Sequence, residues 1–352
     1  MPPSETAPAT ETPAQEADKA PAAPAVNYSM SGGFPRLLAR LDVSLGFTSY
    51  QSGKLYLLGR NPKGGGLMVD ERLFPKAMGL YAEGHTLALA TLFQIQRFEN
   101  VLDAGQAINH TQDACYVPRI TYTTGILDAH DIGMMEDGRI VFVNTAYNCL
   151  AVPSHEDRCH LNGLAMENGK PRYVTAVSRS DTIDGWRDRR AEGGVVIDVE
   201  TGEIVCSGLS MPHSPRLVDG RLWLLNSGTG ELGEVDLATK TFRPFMFCPG
   251  FGRGLAIRGR HAFVGLSKPR YKRFEGLALD ERLKAADSEP WCGIQVIDLD
   301  KKTCVEWFRI DGAVAEIYDV AVLPGIACPM SLGFASNEIR NLITHDPLTP
   351  QI

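Results

Sequence analysis

The stretch from Ser210 to Phe245, SMPHSPRLVDGRLWLLNSGTGELGEVDLATKTFRPF, constrains the fold more than any other. It holds four short runs of β-forming residues: SPRLV, RLWLLN, GELGEVD and TFRPF. Asp219-Gly220, Ser227-Gly228-Thr229-Gly230 and Ala238-Thr239-Lys240 separate them. Tight reversals need residues that accept positive φ, which Gly does without a Cβ clash and Asp tolerates. Four strands in a meander of about forty residues is the size of one β-propeller blade.

The first turn of this unit recurs at Gly53, Gly84, Gly138, Gly169, Gly220 and Gly259, each between two apolar, alternating runs. A further start, Ile317 to Leu323, precedes Pro324-Gly325 but lacks clear second and third strands. The segments VVIDVETGEIV, GEVDLATKTF and IQVIDLDKKTCVEWF repeat as outer hairpins. Period-two alternation with turns at this regularity predicts an all-β chain. The expectation is a β-propeller of four-stranded blades, six in number. A seventh forms if a strand around Leu37–Leu45 closes the ring with 317–323. Joining both chain ends in one blade would remove an exposed sheet edge.

The Pro/Ala-rich segment 1–28 has no apolar period and no basic and apolar export pattern, and reads as a disordered tail. Residues 29–330 then form the propeller and 331–352 a C-terminal tail. A formal net charge of -7 argues against a nucleic-acid partner. No apolar run approaches the ~20 residues of a membrane helix. The eight cysteines show no C-x-x-C spacing, so free thiols in a cytoplasmic protein are expected.

In a meander blade, the second-to-third loops and the blade-to-blade links share the face where inner strands begin. Three long insertions are assigned to that face: Gly105 to Gly125 as a link, Arg179 to Gly193 and Lys268 to Trp291 as second-to-third loops. Long loops over one face commonly carry function. The last contains LALDERLKAAD, whose spacing suits a short lid helix.

His130, His160 and His213 lie eight, nine and seven residues before Gly138, Gly169 and Gly220, at inner-strand starts of three successive units. Imidazoles converging from separate strands suit a divalent transition metal (Fe, Cu, Mn or Zn) with open coordination positions. Arg253, Glu316, Tyr318 and Asp319 occupy comparable positions in other units, and Asp131 and Asn162 adjoin the histidines. Asn109, His110 and Asp113 in the first insertion are placed over the channel mouth, and Asp157 and Arg158 before His160. The unequal offsets leave three readings open: a three-histidine metal site, a metal-free polar pocket, and a structural role. His85, His155, His261 and His345 lie at turns or tails and read as surface residues.

Other motifs fail on context. Gly228 to Gly233 matches G-x-G-x-x-G but leads into a strand, not a helix. Gly64-Gly65-Gly66 lacks the Lys-Ser/Thr of a phosphate loop, and neither H-E-x-x-H nor G-x-S-x-G occurs. Trp186 and Trp291 sit in the second and third insertions, where each stacks on a ligand or staples its loop.

The runs TSYQSGKLYLLG, AINHTQD, HDIG, EDRCHLNGLAM, GLSMPHSPR, GRLWLLNSGTGELGEVD, FGRGLAI and EIYDVAVLPG resemble a family of bacterial proteins of unknown function, over about residues 34–328. The resemblance implies a propeller-like repeat protein, sometimes associated with tetratricopeptide or enzyme domains, and names no reaction. Its typical runs contain the three inner histidines, His110, Arg216, Arg253, Glu316 and Asp319.

Two classes of function follow. One is a metal-dependent enzyme: His130, His160 and His213 hold the metal, and His110, Asp113, Arg253, Glu316 and Asp319 bind or turn over a small polar molecule or peptide. Hydrolysis, lyase chemistry and oxygenation all fit such a site. The other is a metal-free module whose YKRF and WRDRR loops dock an acidic protein or peptide, or a sensor that binds without turnover.

Overall fold

The structure is a computed structural model; it describes residues 25–136, 138–145, 149–150, 160–180, 185–268 and 276–333. Six antiparallel sheets stand in a ring, each with its innermost strand at the central axis. Sheet I runs outward through Val320–Pro324, Val43–Ser49, Lys54–Arg60 and Leu67–Leu73. Sheet II runs through Leu80–Glu83, Thr86–Ala90, Gln94–Asn100 and Ala114–Thr123, with Pro329–Ser331 added in parallel at the edge. Sheet III has Ala129–Met134, Ile140–Asn144 and Cys149–Leu150. Sheet IV has Leu161–Glu167, Lys170–Ala176, Gly194–Asp198 and Ile204–Leu209. Sheet V has Pro212–Val218, Arg221–Asn226, Glu231–Asp236 and Thr241–Phe247. Sheet VI has Phe251–Arg258, His261–Ser267, Cys292–Asp298 and Thr303–Gly312, with Val26–Met30 at its edge.

The all-β propeller expected from the repeat is what forms. Five sheets carry four or five strands, and sheet III carries three among the described residues, so six four-stranded blades are not what these residues build. The repeat phase also shifts at the start. The Gly53 turn joins the second and third strands of sheet I, not the first and second, because Val320–Pro324 supplies the inner strand. Phe47 pairs with Val320 and Val43 with Pro324, so both parts of the chain close one blade. The first and seventh units of the sequence are thus a single sheet.

The closing strand is Val43–Ser49. Phe34–Leu41 is a helix, burying Phe34, Leu37 and Leu38 at helical spacing against Phe47, Phe308 and Ile310. Pro35 in its first turn and left-handed Asp42 at its end bound it. The folded unit begins before residue 29, since Val26 to Met30 pair with Gly312 to Phe308.

The first insertion also lies elsewhere than expected. Ala114–Thr123 is the fourth strand of sheet II, so residues 101–113 connect third and fourth strands on the opposite face. Pro118 hides the strand from a period-two reading, and a register shift at this point accommodates it. Among the described residues no helix is long and apolar enough to cross a membrane. Cys115, Cys206, Cys248, Cys292, Cys304 and Cys328 are free.

One layer of side chains locks the six inner strands together. Asp131 Oδ1 accepts from Ile132 N at 2.9 Å and Oδ2 from Leu164 N of the next sheet at 2.8 Å. Asp319 repeats this: Oδ1 accepts from Val320 N and Oδ2 from Leu80 N, each at 2.8 Å. Ser214 Oγ accepts from Gly254 N at 3.0 Å. The equivalent positions on the alternate strands are Gly79, Gly163 and Gly254, which lets each strand approach its neighbour's side chain. A Cβ on Gly254 would lie 2.5 Å from Val320 N, and one on Gly163 2.9 Å from Ser214 N.

Arg216 occupies the centre. Its Nε donates to Leu255 O at 2.9 Å, Nη1 to Asp131 Oδ2 at 2.9 Å and Leu164 O at 3.1 Å, and Nη2 lies 3.4 Å from Asp319 Oδ1. Through Asp319 the network also reaches Leu80, so one guanidinium connects all six inner strands. Hydrogen bonds among buried charges reinforce one another, and losing one partner strands the rest.

Arg216→Met is therefore expected to lower stability by about 3–5 kcal/mol, because it leaves two buried carboxylates without their cation. Arg221→Met, which breaks the exposed Arg221–Glu234 pair on the same sheet, is expected to cost about 1 kcal/mol or less. Urea unfolding midpoints of the two variants make the comparison.

Candidate functional site

Immediately before the locking layer, the six inner strands place Met78, His130, Asn162, His213, Arg253 and Tyr318 around the axis. His130 and His213 are thus equivalent, while the equivalent of both in sheet IV is Asn162. His160 lies two residues earlier, on the level of Asp128, Met211, Phe251 and Glu316. The nine-residue offset of His160 before Gly169 has this cause. Asp128, His160 and Met211 all have left-handed backbone, with φ of 46°, 53° and 47°. Left-handed residues at a site edge re-aim the chain.

The same local geometry orients two imidazoles. His130 Nδ1 lies 2.5 Å from Asp128 O, and His213 Nδ1 lies 2.8 Å from Met211 O. A carbonyl only accepts, so Nδ1 carries the proton in both rings and Nε2 keeps its lone pair. Ser227 Oγ donates to Gly252 O at 2.6 Å and so accepts from His213 Nδ1 at 3.0 Å. Thr175 Oγ1 donates to Asn162 Oδ1 at 2.9 Å, which turns Asn162 Nδ2 toward His213 Nε2, 3.4 Å away. His130 Nε2 has no hydrogen-bond partner among the described residues.

Aromatic and charged groups complete the chamber. The His130 ring stands edge-on to His160 at 5.2 Å and to Tyr318 at 5.1 Å. Trp186 stacks on His160 with centroids 4.1 Å apart. The Arg253 guanidinium sits 5.0 Å over Phe251 and 4.9 Å over Tyr318, and its Nη1 is 3.6 Å from Glu316 Oε1. The expected lid helix is Ala278–Ala285, and Leu277, Leu279 and Leu283 pack with Val177, Trp186, Met211 and Phe251 along the chamber's rim. Burial, then the neighbouring His160 and Arg253, push His130 well below the usual imidazole range. Burial and Arg253 do the same to His213. Both rings are neutral at pH 7.

A family model described as a domain of unknown function, DUF4915, matches residues 32–332. The chain belongs to that family. The match covers every side chain of the chamber, and the family's description assigns no activity. No curated protein matches the DUF4915 chain. A chain in a structure of a nidogen/laminin complex aligns with 80% of this chain and 99% of its own at 11% identity, with a TM-score of 0.48. The computationally designed protein Ika8 aligns with 79% of this chain and 90% of its own at 10% identity, with a TM-score of 0.40. Likeness at this level says nothing of activity.

The residues expected at the site divide into three groups in the DUF4915 fold. His130, His160, His213, Arg253 and Glu316 come together in the chamber. Asp319 lies just beneath them, engaged by Arg216 and two backbone amides. His110 and Asp113 do not reach the chamber, because residues 101–113 lie on the opposite face. His110 is exposed in a turn, and Asp113 accepts from Ala327 N and Cys328 N at 2.8 and 2.7 Å, anchoring the segment before Pro329–Ser331.

His261, expected at the surface, is 4% exposed beside Asp298 in sheet VI. Asp157, Arg158, His155, His345 and the YKRF run lie outside the described residues. Among the described residues, no group of three or more His, Cys, Asp or Glu side chains is placed to hold a metal ion. His160 is offset by one level from the other two histidines, and Arg253 adds positive charge to the ring. Phe251, Thr175 and Ser227 escaped the sequence reading. The signal for Ser227 was a hydroxyl at the end of a second strand, a place also taken by Thr145, which bonds Leu161 O of the next sheet's inner strand, and by Ser267, which bonds Ile317 O just before that of sheet I.

A depressed histidine pKa has a definite sign in stability. The unfolded chain takes up protons below about pH 6.5, the native rings do not, so stability falls as pH drops below that value, by about 1.4 kcal/mol per unit per ring. Burial and Asp131 push Asp319 upward, which opposes this trend below neutrality. Comparison with His213→Gln cancels the Asp319 contribution. The variant is expected to show a shallower loss of stability between pH 6.5 and 5 than the parent, by about 1.4 kcal/mol per unit, in urea titrations at each pH.

Proposed function

We propose that the chamber binds a small anionic molecule through Arg253 and that neutral His130 acts on it as a general base. One observation carries the reading: the His130 Nδ1–H is committed to Asp128 O, which leaves Nε2 unprotonated in a ring of side chains that also holds a guanidinium. A lone pair beside a cation suits an acid whose carboxylate joins Glu316 on the Arg253 guanidinium while a proton on carbon or oxygen is drawn by His130. Tyr318 and Asn162 supply further hydrogen-bonding groups, and Trp186 and Phe251 apolar walls. His213, held by Ser227 and Asn162, positions the ligand and does not take the proton.

A second reading has its own support. Histidines that ligate metals commonly donate Nδ1–H to a carbonyl and bind through Nε2, as His130 is disposed to do and as His213 would be once Asn162 Nδ2 turns away from its Nε2. A metal there would act as a Lewis acid toward the same anionic ligand.

The test uses the intact chain and a panel of short hydroxy- and oxo-carboxylates beside their neutral amides. At least one acid is expected to raise the unfolding temperature, and Arg253→Gln to weaken its binding by about tenfold or more. With the binding acid in D₂O, exchange of its carbon-bound proton is expected by NMR and to fall by about a hundredfold in His130→Gln. Equal binding of acid and amide would overturn the anionic reading. Stoichiometric metal that is lost in a folded His130→Gln/His213→Gln variant would establish the second reading instead.

A further inference from the structure

Below the locking layer the central channel opens again, on the face opposite the histidines. All six inner strands contribute to its lining, and the half-buried apolar residues there are Met166, Leu217, Val218, Ile257 and Val322. The cavity has a volume of about 330 Å³. Arg216 forms its floor and Arg258 stands at its rim, and the lining contains no Asp or Glu. The Arg216 side chain keeps 22% of its surface accessible. Its Nε and Nη1 are taken by Leu255 O, Asp131, Leu164 O and Pro215 O, whereas Nη2 has only Asp319 Oδ1, at 3.4 Å, among the described residues. Nη2 bears two N–H groups, so one is left without a partner among those residues.

We propose that this funnel is a second binding site and that it takes an aliphatic monocarboxylate, with the carboxylate between Arg216 Nη2 and Arg258 and the chain along Met166, Leu217, Val218, Ile257 and Val322. Size sets the length. At about 30 Å³ per water-sized group, the cavity holds roughly eleven heavy atoms, which matches a carboxylate of about eight to ten carbons. Charge sets the sign of the head group: Arg216 is paired with Asp131 and Asp319 behind it, so the net charge of the lining is that of Arg258, and with no acid in the lining it favours an anion over an amine or an alcohol. The site is separate from the histidine chamber, since Arg216, Asp131 and Asp319 fill the axis between them. Its outcome is independent of the reaction proposed above.

Calorimetric titration of the intact chain with octanoate, decanoate, decanol and decylamine tests it. Decanoate is expected to bind once per chain and about tenfold or more tighter than decanol or decylamine. Arg216 holds the fold, so the variants are taken from the wall and rim. Ile257→Glu places a like charge in the funnel and is expected to weaken decanoate at least about tenfold; Arg258→Glu is expected to weaken it less. Their urea midpoints report whether they remain folded. Methyl NMR of the unaltered protein removes any dependence on the variants: decanoate should shift Leu217, Leu255, Ile257 and Val320. No saturable binding, equal binding of the three decyl probes, shifts confined to the histidine face, or full affinity in folded Ile257→Glu would each overturn the proposal.

Discussion

Arg216 is the interaction on which the rest depends. A ring of antiparallel sheets has no continuous hydrogen bonding from one sheet to the next, so something other than strand pairing must hold the inner edges in register. Here a buried guanidinium does so, with Asp131, Asp319 and Ser214 as its outposts and glycines at the alternate positions. The arrangement joins the sheets in pairs: III to IV, V to VI and I to II. Two carboxylates around one arginine would repel one another if both were charged, and Asp319 relieves this by its raised affinity for a proton.

The histidine chamber inherits its geometry from that layer. Its side chains stand one residue before the locked positions, so the lock fixes where each of them starts. The left-handed residues at Asp128 and Met211 then aim a carbonyl at the Nδ1 of the following histidine. The rings become neutral acceptors because they are buried and because Arg253 is close, not because a carboxylate holds them. The same lock separates the polar and aromatic side chains around the histidines from the cavity on the opposite face.

Much of this was legible in the chain. The Ser210–Phe245 meander and its repeated Gly turns predict an all-β ring, and the three histidines do lie at inner-strand starts. The seventh unit and the first proved to be one sheet, because pairing of Val43–Ser49 with Val320–Pro324 spans nearly the whole chain and leaves no local trace. Ala114–Thr123 was missed because Pro118 interrupts its alternation, and that single omission carried His110 and Asp113 to the wrong face. His160 was read as equivalent to His130 and His213 because a one-level offset along an inner strand is only two residues.

What the sequence determined by itself was local: strand periodicity, turn positions, the helix at LALDERLKAAD and the set of residues near the axis. These depend on backbone preferences and on side-chain alternation, both set by near neighbours. What only the tertiary structure decided was which polar residues meet. Arg216 looks like any cation in an apolar strand until six strands converge on it. Arg253 becomes part of a histidine ring only when sheets V, VI and I close around it. Contacts between residues far apart in the chain depend on how the sheets are stacked, and that is a property of the closed ring.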